Sequence, residues 1–201
     1  MTKPVKTWCA DARVAVPENR LAPEELLSAL REAAGDAFLG GECREWREGE
    51  GRAPYRQVWL KFRAEALRAV IQRLIGIHYP HLAVIAAVDC GETIELPYIM
   101  AVYHGAGREA EIRVTATAVL PKENPVVDSI SDLIPGALMG EREKQEMMGV
   151  TVRNIPDGRR IFLPDDFPEG VYPWRKDGKG IPPDMVKHLW SAGRPVEAKP
   201  E

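Results

Sequence analysis

Three glutamates, Glu141, Glu143 and Glu146, stand within six residues in the stretch Gly140-Glu-Arg-Glu-Lys-Gln-Glu-Met-Met-Gly-Val150. Carboxylates this close together can do general acid/base chemistry if one is held protonated while another stays ionised. Ion-pair networks gather carboxylates just as densely. Helical spacing favours the second use: Arg142 and Glu146 stand at i,i+4, Glu143 shares its side with Met147, and Glu141 meets Met148 two turns on. Acids and apolar residues are thus interleaved around the helix. It is expected to be covered on several sides, with its charges paired to neighbouring arginines.

The remaining candidates are weaker. Arg159 and Arg160 follow Asp157 and precede the apolar Ile161-Phe162-Leu163. One is expected to bond the acidic helix and the other a partner's carboxylate bidentately; the alternative is a solvated pair at a turn. Asp165 and Asp166 are adjacent acids in extended chain, which point to opposite sides, and a cation site needs more ligands than two. His78 and His81 flank Tyr79-Pro80; their spacing suits a metal only on a helix, which Pro80 disfavours, so loop or packing roles are expected. His104 and His188 have no evident partners, and no Ser–His–Asp or Cys–His arrangement assembles. Gly105-x-Gly107 lies between strands and reads as a hairpin loop, not a phosphate cradle. Cys9, Cys43 and Cys90 are isolated, with no C-x-x-C spacing; this argues for a reducing compartment and against a zinc or iron–sulfur site. No catalytic, cofactor-binding or metal-ligating residue is expected in this chain.

Composition bounds the partners. The chain has 201 residues, 45% hydrophobic and 28% charged, with net charge -3 and no Lys/Arg block, so nucleic acid is not expected as the main partner. Met1 to Pro17 lacks an apolar core and is not expected to be a secretory signal. The longest apolar run, Leu82 to Val88, is far short of the roughly 20 residues that span a bilayer. Any membrane association is expected to go through another protein of an assembly.

The elements that must position these residues follow from periodicity. Pro23-Glu24-Glu25 opens a helix with Leu26, Leu27, Leu30 and Ala34 at helical spacing, stopped by Gly35. A strand up to Trp46 and one carrying Val58, Leu60 and Phe62 read as a hairpin around a loop at Arg47–Pro54. Leu67, Val70, Ile71 and Leu74 stripe a second helix, ended by Gly76. Three strands follow as an antiparallel meander: Leu82–Val88, then Ile94 to Val102, then Ile112 to Ala118. A turn at Asp89-Cys90-Gly91-Glu92 joins the first two, and Pro97 marks an edge or bulge. This order predicts an α+β two-layer sandwich, a mostly antiparallel five-stranded sheet with two helices on one face. Asn124-Pro125 is expected to open a helical segment with Val126, Val127, Ile130 and Leu133 as its apolar positions, interrupted at Pro135-Gly136 before the acidic helix. From Pro164 periodicity disappears and prolines and glycines accumulate. Trp174 and Trp190 there need a surface, either a partner's groove or this domain's own flank. The predicted organisation is an arm over 1–20, an α+β domain over 21–120, a helical segment over 121–163 and an extended partner-binding tail over 164–201.

Glu141-Arg142-Glu143-x-x-Glu146-Met147-Met148-Gly149-Val150, followed by Pro156-Asp157-x-Arg159-Arg160-Ile161, resembles the signature of the C-subunit family of NADH-quinone oxidoreductase (complex I). Ile155 stands where that family usually has histidine. The next segment, Leu163-Pro164-Asp165-Asp166-Phe167-Pro168 through Tyr172-Pro173-x-Arg175-Lys176-Asp177, is also similar. It looks most like the variant in energy-converting membrane-bound [NiFe]-hydrogenases and formate hydrogenlyases. The resemblance implies an accessory protein without a redox centre, packed against the catalytic large subunit in a peripheral arm on the cytoplasmic side of the membrane. Iron–sulfur clusters and a nickel–iron or quinone site would belong to partner subunits. The interface residues it implies are Glu141, Arg142, Glu143, Glu146, Met147, Met148, Asp157, Arg159, Arg160, Asp165, Asp166, Tyr172, Trp174, Arg175, Lys176 and Asp177. Alternatives are the C-subunit of NADH-quinone oxidoreductase itself, a related sulfur- or quinone-reducing complex, or, outside the family, a stand-alone acid/base enzyme.

Overall fold

Helix α1 (Pro23–Ala34) starts where Pro23 removes a backbone donor that has no use in a first turn, and the Glu25 carboxylate accepts the Ala22 N–H at 2.8 Å. Its Leu26, Leu30 and Ala34 are buried, and Gly35, with φ of 54°, ends it. The computed structural model describes residues 18–48, 53–104 and 109–186. The expectations for the arm up to Pro17, for Gly105-x-Gly107, and for Cys9, His188, Trp190 and the end of the tail lie outside those residues.

The strands are β1 (Phe38–Glu48), β2 (Ala53–Arg63), β3 (His81–Ile85), β4 (Val88–Asp89), β5 (Thr93–Val102) and β6 (Ile112–Pro121). They form one sheet in the order β1-β2-β6-β5-β3, with β4 also paired to β5. Helix α2 (Leu67–Ile77) lies with α1 on one face, where Val58, Leu60, Phe62, Leu96, Tyr98, Met100, Val114 and Ala116 meet Leu67, Val70, Ile71 and Leu74 in a single core. The two-layer α+β sandwich is as the periodicity predicts.

Three details differ. The sheet has six strands, because the expected Leu82–Val88 strand breaks at Ala86–Ala87. Pro97 on β5 is the cause. Its carbonyl accepts the Ala86 N–H at 2.9 Å, but it has no N–H to return, and pairing resumes only at Val88 with Glu95. Second, β2 and β6 are parallel, from Arg56 opposite Ile112 to Arg63 opposite Val119. The chain leaves β2 through α2 to the far edge and returns through the β3–β5–β6 meander, so β6 arrives beside β2 pointing the same way. This is a split β-α-β unit. Third, Val126–Asp128 is a short strand, β7, not a helix; it pairs in parallel with β8 (Thr151–Arg153). Asp128 takes both ends of the Arg153 guanidinium at 2.9 Å, and Val127 is buried by this pairing.

Helix α3 (Ala137–Met148) carries the glutamates and packs on β3. A Cβ on Gly140 would come within 3.1 Å of Ile85, so glycine sets the closeness of that contact. Among the described residues no helix is long and apolar enough to cross a membrane.

Candidate functional site: the glutamate helix and the loop it holds

Helix α3 ends at Gly149 in the left-handed conformation, φ 69°, with its N–H donated to the Gln145 carbonyl at 3.0 Å. The Tyr172 ring occupies the space that a side chain would need: a Cβ on Gly149 would lie 2.5 Å from it. Gly149→Ala therefore meets both a backbone strain and a clash. It is expected to cost about 2 kcal/mol in chemical denaturation. Adding Tyr172→Ala should recover the part due to the clash; no recovery would mean that the strain alone acts.

Arg142 and Glu146, one turn apart, do not pair with each other. They hold the same loop. Arg142 donates from Nε to the Arg159 carbonyl at 2.8 Å and from Nη2 to the Arg160 carbonyl at 3.3 Å, and it stands 3.3 Å from the Asp157 carboxylate. Glu146 accepts the backbone N–H groups of Ile161, Phe162 and Leu163, with distances from 3.1 to 3.3 Å. One cation on carbonyls and one anion on amides thus fix residues 157–163, which have no ladder or helix of their own.

Glu141 is 2% exposed, and both its oxygens are engaged: Oε2 accepts the Ser129 hydroxyl at 2.6 Å, and Oε1 accepts the Ile130 N–H at 2.7 Å. Burial pushes its carboxyl above the ordinary glutamate value, and the two hydrogen bonds oppose the rise. Glu143 pairs with Lys144, whose ammonium lies 4.9 Å from the Trp174 ring centroid. The expectation that neighbouring arginines neutralise the three glutamates is corrected: two are satisfied by hydroxyl and backbone donors, and the third by a lysine. Met148 is in the core, and the Met147 carbonyl accepts the Trp174 N–H at 2.9 Å.

Neither guanidinium of the Arg159-Arg160 pair reaches the acidic helix; only their carbonyls do. Arg159 folds onto Asp157 at 2.9 Å and holds that carboxyl well below the usual range, while Arg160 donates to the carbonyls of Pro164 and Phe167. Asp165 and Asp166 are exposed.

The tail is not extended from Pro164 throughout. Residues 172–180 return onto the sheet. Asp89, almost fully buried, accepts the Lys122 ammonium at 2.8 Å and the Lys176 N–H at 2.8 Å; both hold its carboxyl well below the ordinary range, the lysine most strongly. Asp177 meets Lys122 at 3.1 Å, and the buried Arg175 donates to the Lys122 carbonyl. The coverage of Trp174, left open between a partner and the domain's own flank, is in part the latter, with 40% of it still exposed.

Of the signature side chains, Arg142, Glu146, Arg160 and Tyr172 meet on one face, whereas Glu141 and Met148 turn inward and Arg175 and Asp177 lie at Lys122. An open cleft of about 360 Å³ there is lined by Arg142, Gln145, Glu146, Arg160, Leu163 and Tyr172 among others. Beside it, Phe162 is 61% exposed and Met139 is 54% exposed. None of the three glutamates is free for acid/base chemistry: Glu141 is sealed, Glu146 accepts three N–H donors and Glu143 is held by Lys144. Among the described residues, no group of three or more His, Cys, Asp or Glu side chains is arranged to hold a metal. His78, His81 and His104 do gather, at ring separations of 5.2 and 5.8 Å, which the spacing did not suggest. Tyr103, at φ 58°, donates its N–H to His78 Nδ1, a packing role.

The chain is similar to known proteins. The chain is 55% identical over 75 residues to the membrane-bound hydrogenase subunit beta of Pyrococcus furiosus, a stretch covering 37% of this chain and 42% of that one. It is 32% identical over 156 residues to the C-subunit of the NADH-quinone oxidoreductase of Sinorhizobium medicae, covering 76% and 70%. The match to the P. furiosus protein spans less than half of that protein's length. Among solved structures, an archaeal respiratory membrane complex, the membrane-bound sulfane sulfur reductase, contains a chain similar in fold with TM-score 0.60 and 20% identity, over 76% of this chain and 83% of that one. The family profile described as respiratory-chain NADH dehydrogenase, 30 Kd subunit, matches residues 60–183, and the chain belongs to that family.

Proposed function

We propose that this chain is an accessory subunit of a membrane-bound redox complex, docked through the α3 face onto the catalytic large subunit. The observation that carries this reading is the use of the signature residues. Arg142 and Glu146 rigidify a loop whose outward product is an exposed Phe162, and Met139, against Arg142 on the same helix, is exposed too. A large aromatic left in water, on a loop fixed by polar bonds to a packed helix, is how a protein–protein anchor is built. An energy-converting hydrogenase is the leading assembly, on the 55% identity to a hydrogenase subunit. NADH-quinone oxidoreductase is the runner-up, on the longer match to its C-subunit. In this reading the chain sits on the cytoplasmic side, contributes shape and cohesion, and leaves iron–sulfur clusters and the nickel–iron or quinone site to its partners.

Phe162→Asp with Met139→Asp tests it. Both side chains are exposed, so the variant should keep its circular dichroism and melting temperature. Recovery of the large subunit on the tagged chain should fall by about thirtyfold, the scale of one interface hot spot. Undiminished recovery would remove the α3 face as the dock. Nickel in the parent assembly would favour the hydrogenase, and its absence the quinone- or sulfur-reducing relatives.

A further inference from the structure

The sheet has a second face, and no helix among the described residues covers it. Alternation fixes what lies on it: Glu42, Arg44 and Trp46 from β1, Tyr55, Trp59 and Lys61 from β2, Arg113 from β6, Glu95 and Pro97 from β5, and Val84 and Val88 beyond them, with Gln57, Thr115 and Thr117 buried among these neighbours. An antiparallel sheet can leave one face wet, but such a face is normally polar. Here an apolar band crosses it, with Leu39 51%, Trp59 38%, Val84 47% and Val88 42% exposed. A groove of about 490 Å³ runs between Leu39, Trp59, Val88 and Pro97.

The polar groups beside the groove are pre-arranged. Trp59 Nε1 donates to Gln57 Oε1 at 2.8 Å, and Gln57 Nε2 donates to the Tyr55 hydroxyl at 3.2 Å. Tyr55 packs against Trp46 with centroids 4.5 Å apart and the rings tilted by 49°, and Arg113 lies over the Tyr55 ring at 4.9 Å. Tryptophan, tyrosine and arginine held rigidly around an apolar groove are the composition of interface hot spots.

Charge selects the occupant. The face's two central carboxylates are engaged, Glu42 by Arg44 and Glu95 by Lys61 on both oxygens. Arg113 has no carboxylate within ion-pair distance among the described residues, Glu111 two positions earlier included. The complement must therefore bring an acid. Neither end of the chain is net acidic: residues 1–17 carry Lys3, Lys6 and Arg13 against Asp11, and residues 187–201 carry Lys187, Arg194 and Lys199 against Glu197 and Glu201. A second copy would set one cation-bearing face against another.

We infer that this open face is a second docking surface, for an apolar segment of another protein of the assembly that carries a carboxylate opposite Arg113. It is separate from the α3 face, so the assembly would hold this chain from two sides.

The test uses the tagged full-length chain, isolated and in its native assembly. Hydroxyl-radical oxidation of Trp59 should be several-fold slower in the assembly. Arg113→Glu, with Trp59→Lys as a second variant, should lower recovery of one subunit by about thirtyfold. That subunit should differ from, or be held additionally to, the one lost in the Phe162 and Met139 variant. Trp59 is exposed and Arg113 is half-buried at the sheet surface, so unchanged circular dichroism and melting temperature are required of both variants as a guard against misfolding. Equal oxidation of Trp59 in both states, or full recovery by both variants, overturns the inference. So would an isolated chain that is dimeric by light scattering and becomes monomeric with Trp59→Lys, or one that binds single-stranded RNA through Trp59. If the α3 variant fails to release any subunit while these variants do, the function proposed above fails and this inference stands.

Discussion

Glu141→Gln is expected to leave stability within about 1 kcal/mol of the parent, whereas Glu146→Gln lowers it by about 3 kcal/mol and frees the 157–163 loop. The two glutamates lie five residues apart on one helix, yet the same substitution should give opposite results. At Glu141 one oxygen faces a donor that can reverse. The Ser129 hydroxyl lies 2.6 Å from Oε2 and also 2.7 Å from the Ser131 hydroxyl, so it can turn its hydrogen to Ser131 and accept from a glutamine amide. The other oxygen keeps the Ile130 N–H. At Glu146 every contact is a backbone N–H from Ile161, Phe162 or Leu163, and none can reverse. A glutamine there aims N–H at N–H and leaves part-buried donors unsatisfied. Denaturation of both variants with proteolytic mapping of the loop decides it; equal losses would show that the loop is not held by this carboxylate.

The pH dependence separates the pair further. Because burial raises the Glu141 carboxyl, the folded state binds more protons than the unfolded one between the ordinary glutamate value of 4.5 and the raised one. Stability therefore falls as pH rises through that window. Glu141→Gln removes this limb, so its curve should be flatter and should meet or exceed the parent's near neutrality. A parent whose stability does not fall there would contradict the buried ionisable carboxyl.

The layout of the sandwich was legible because local signals carried it. Pro23-Glu24-Glu25 and Gly35 bound α1, and the alternations in β5 and β6 assign their faces without ambiguity. The errors arose where the deciding partner was distant. Val126, Val127, Ile130 and Leu133 mimic a helical stripe, but the parallel pairing with Thr151–Arg153 turns the first two into a strand. Pro97 announced an irregularity, but the broken strand was its neighbour, not its own. Nothing local reports that β2 and β6, about fifty residues apart, run parallel; that follows only once the crossover through α2 is known. At the candidate site Glu141, Arg142 and Glu146 were legible as charged groups in need of partners. Their partners were misassigned because a carboxylate's need for donors is visible in sequence, whereas the backbone amides that meet it are not.

The return of the tail onto the sheet was the least legible feature, since Asp89 and Lys176 are 87 residues apart. Asp89→Ala is expected to release residues 172–180. The substitution removes the acceptor for the Lys176 N–H, for the Gly91 N–H and for Lys122, and leaves Lys122 with only Asp177 at 3.1 Å. Trypsin should then cut after Arg175, Lys176 or Lys179 about tenfold faster, equivalent to about 1.4 kcal/mol of local opening. Global unfolding should change little, because the core of β5, β6 and α2 is untouched. Acid should act in the same direction. Asp89 titrates below the ordinary range, so its contribution is complete above about pH 4 and is lost as pH falls toward its depressed value. Tail cleavage or exchange measured against pH in the parent should therefore rise only in acid, and the Asp89→Ala protein should lack that rise. A tail equally protected in both proteins would place its anchorage elsewhere, in Trp174 on Met147 and Arg175 on Lys122. If release occurs as expected, the buried Asp89–Lys122 pair is what sets the course of the tail past Tyr172, and with it the wall of the cleft beside Phe162.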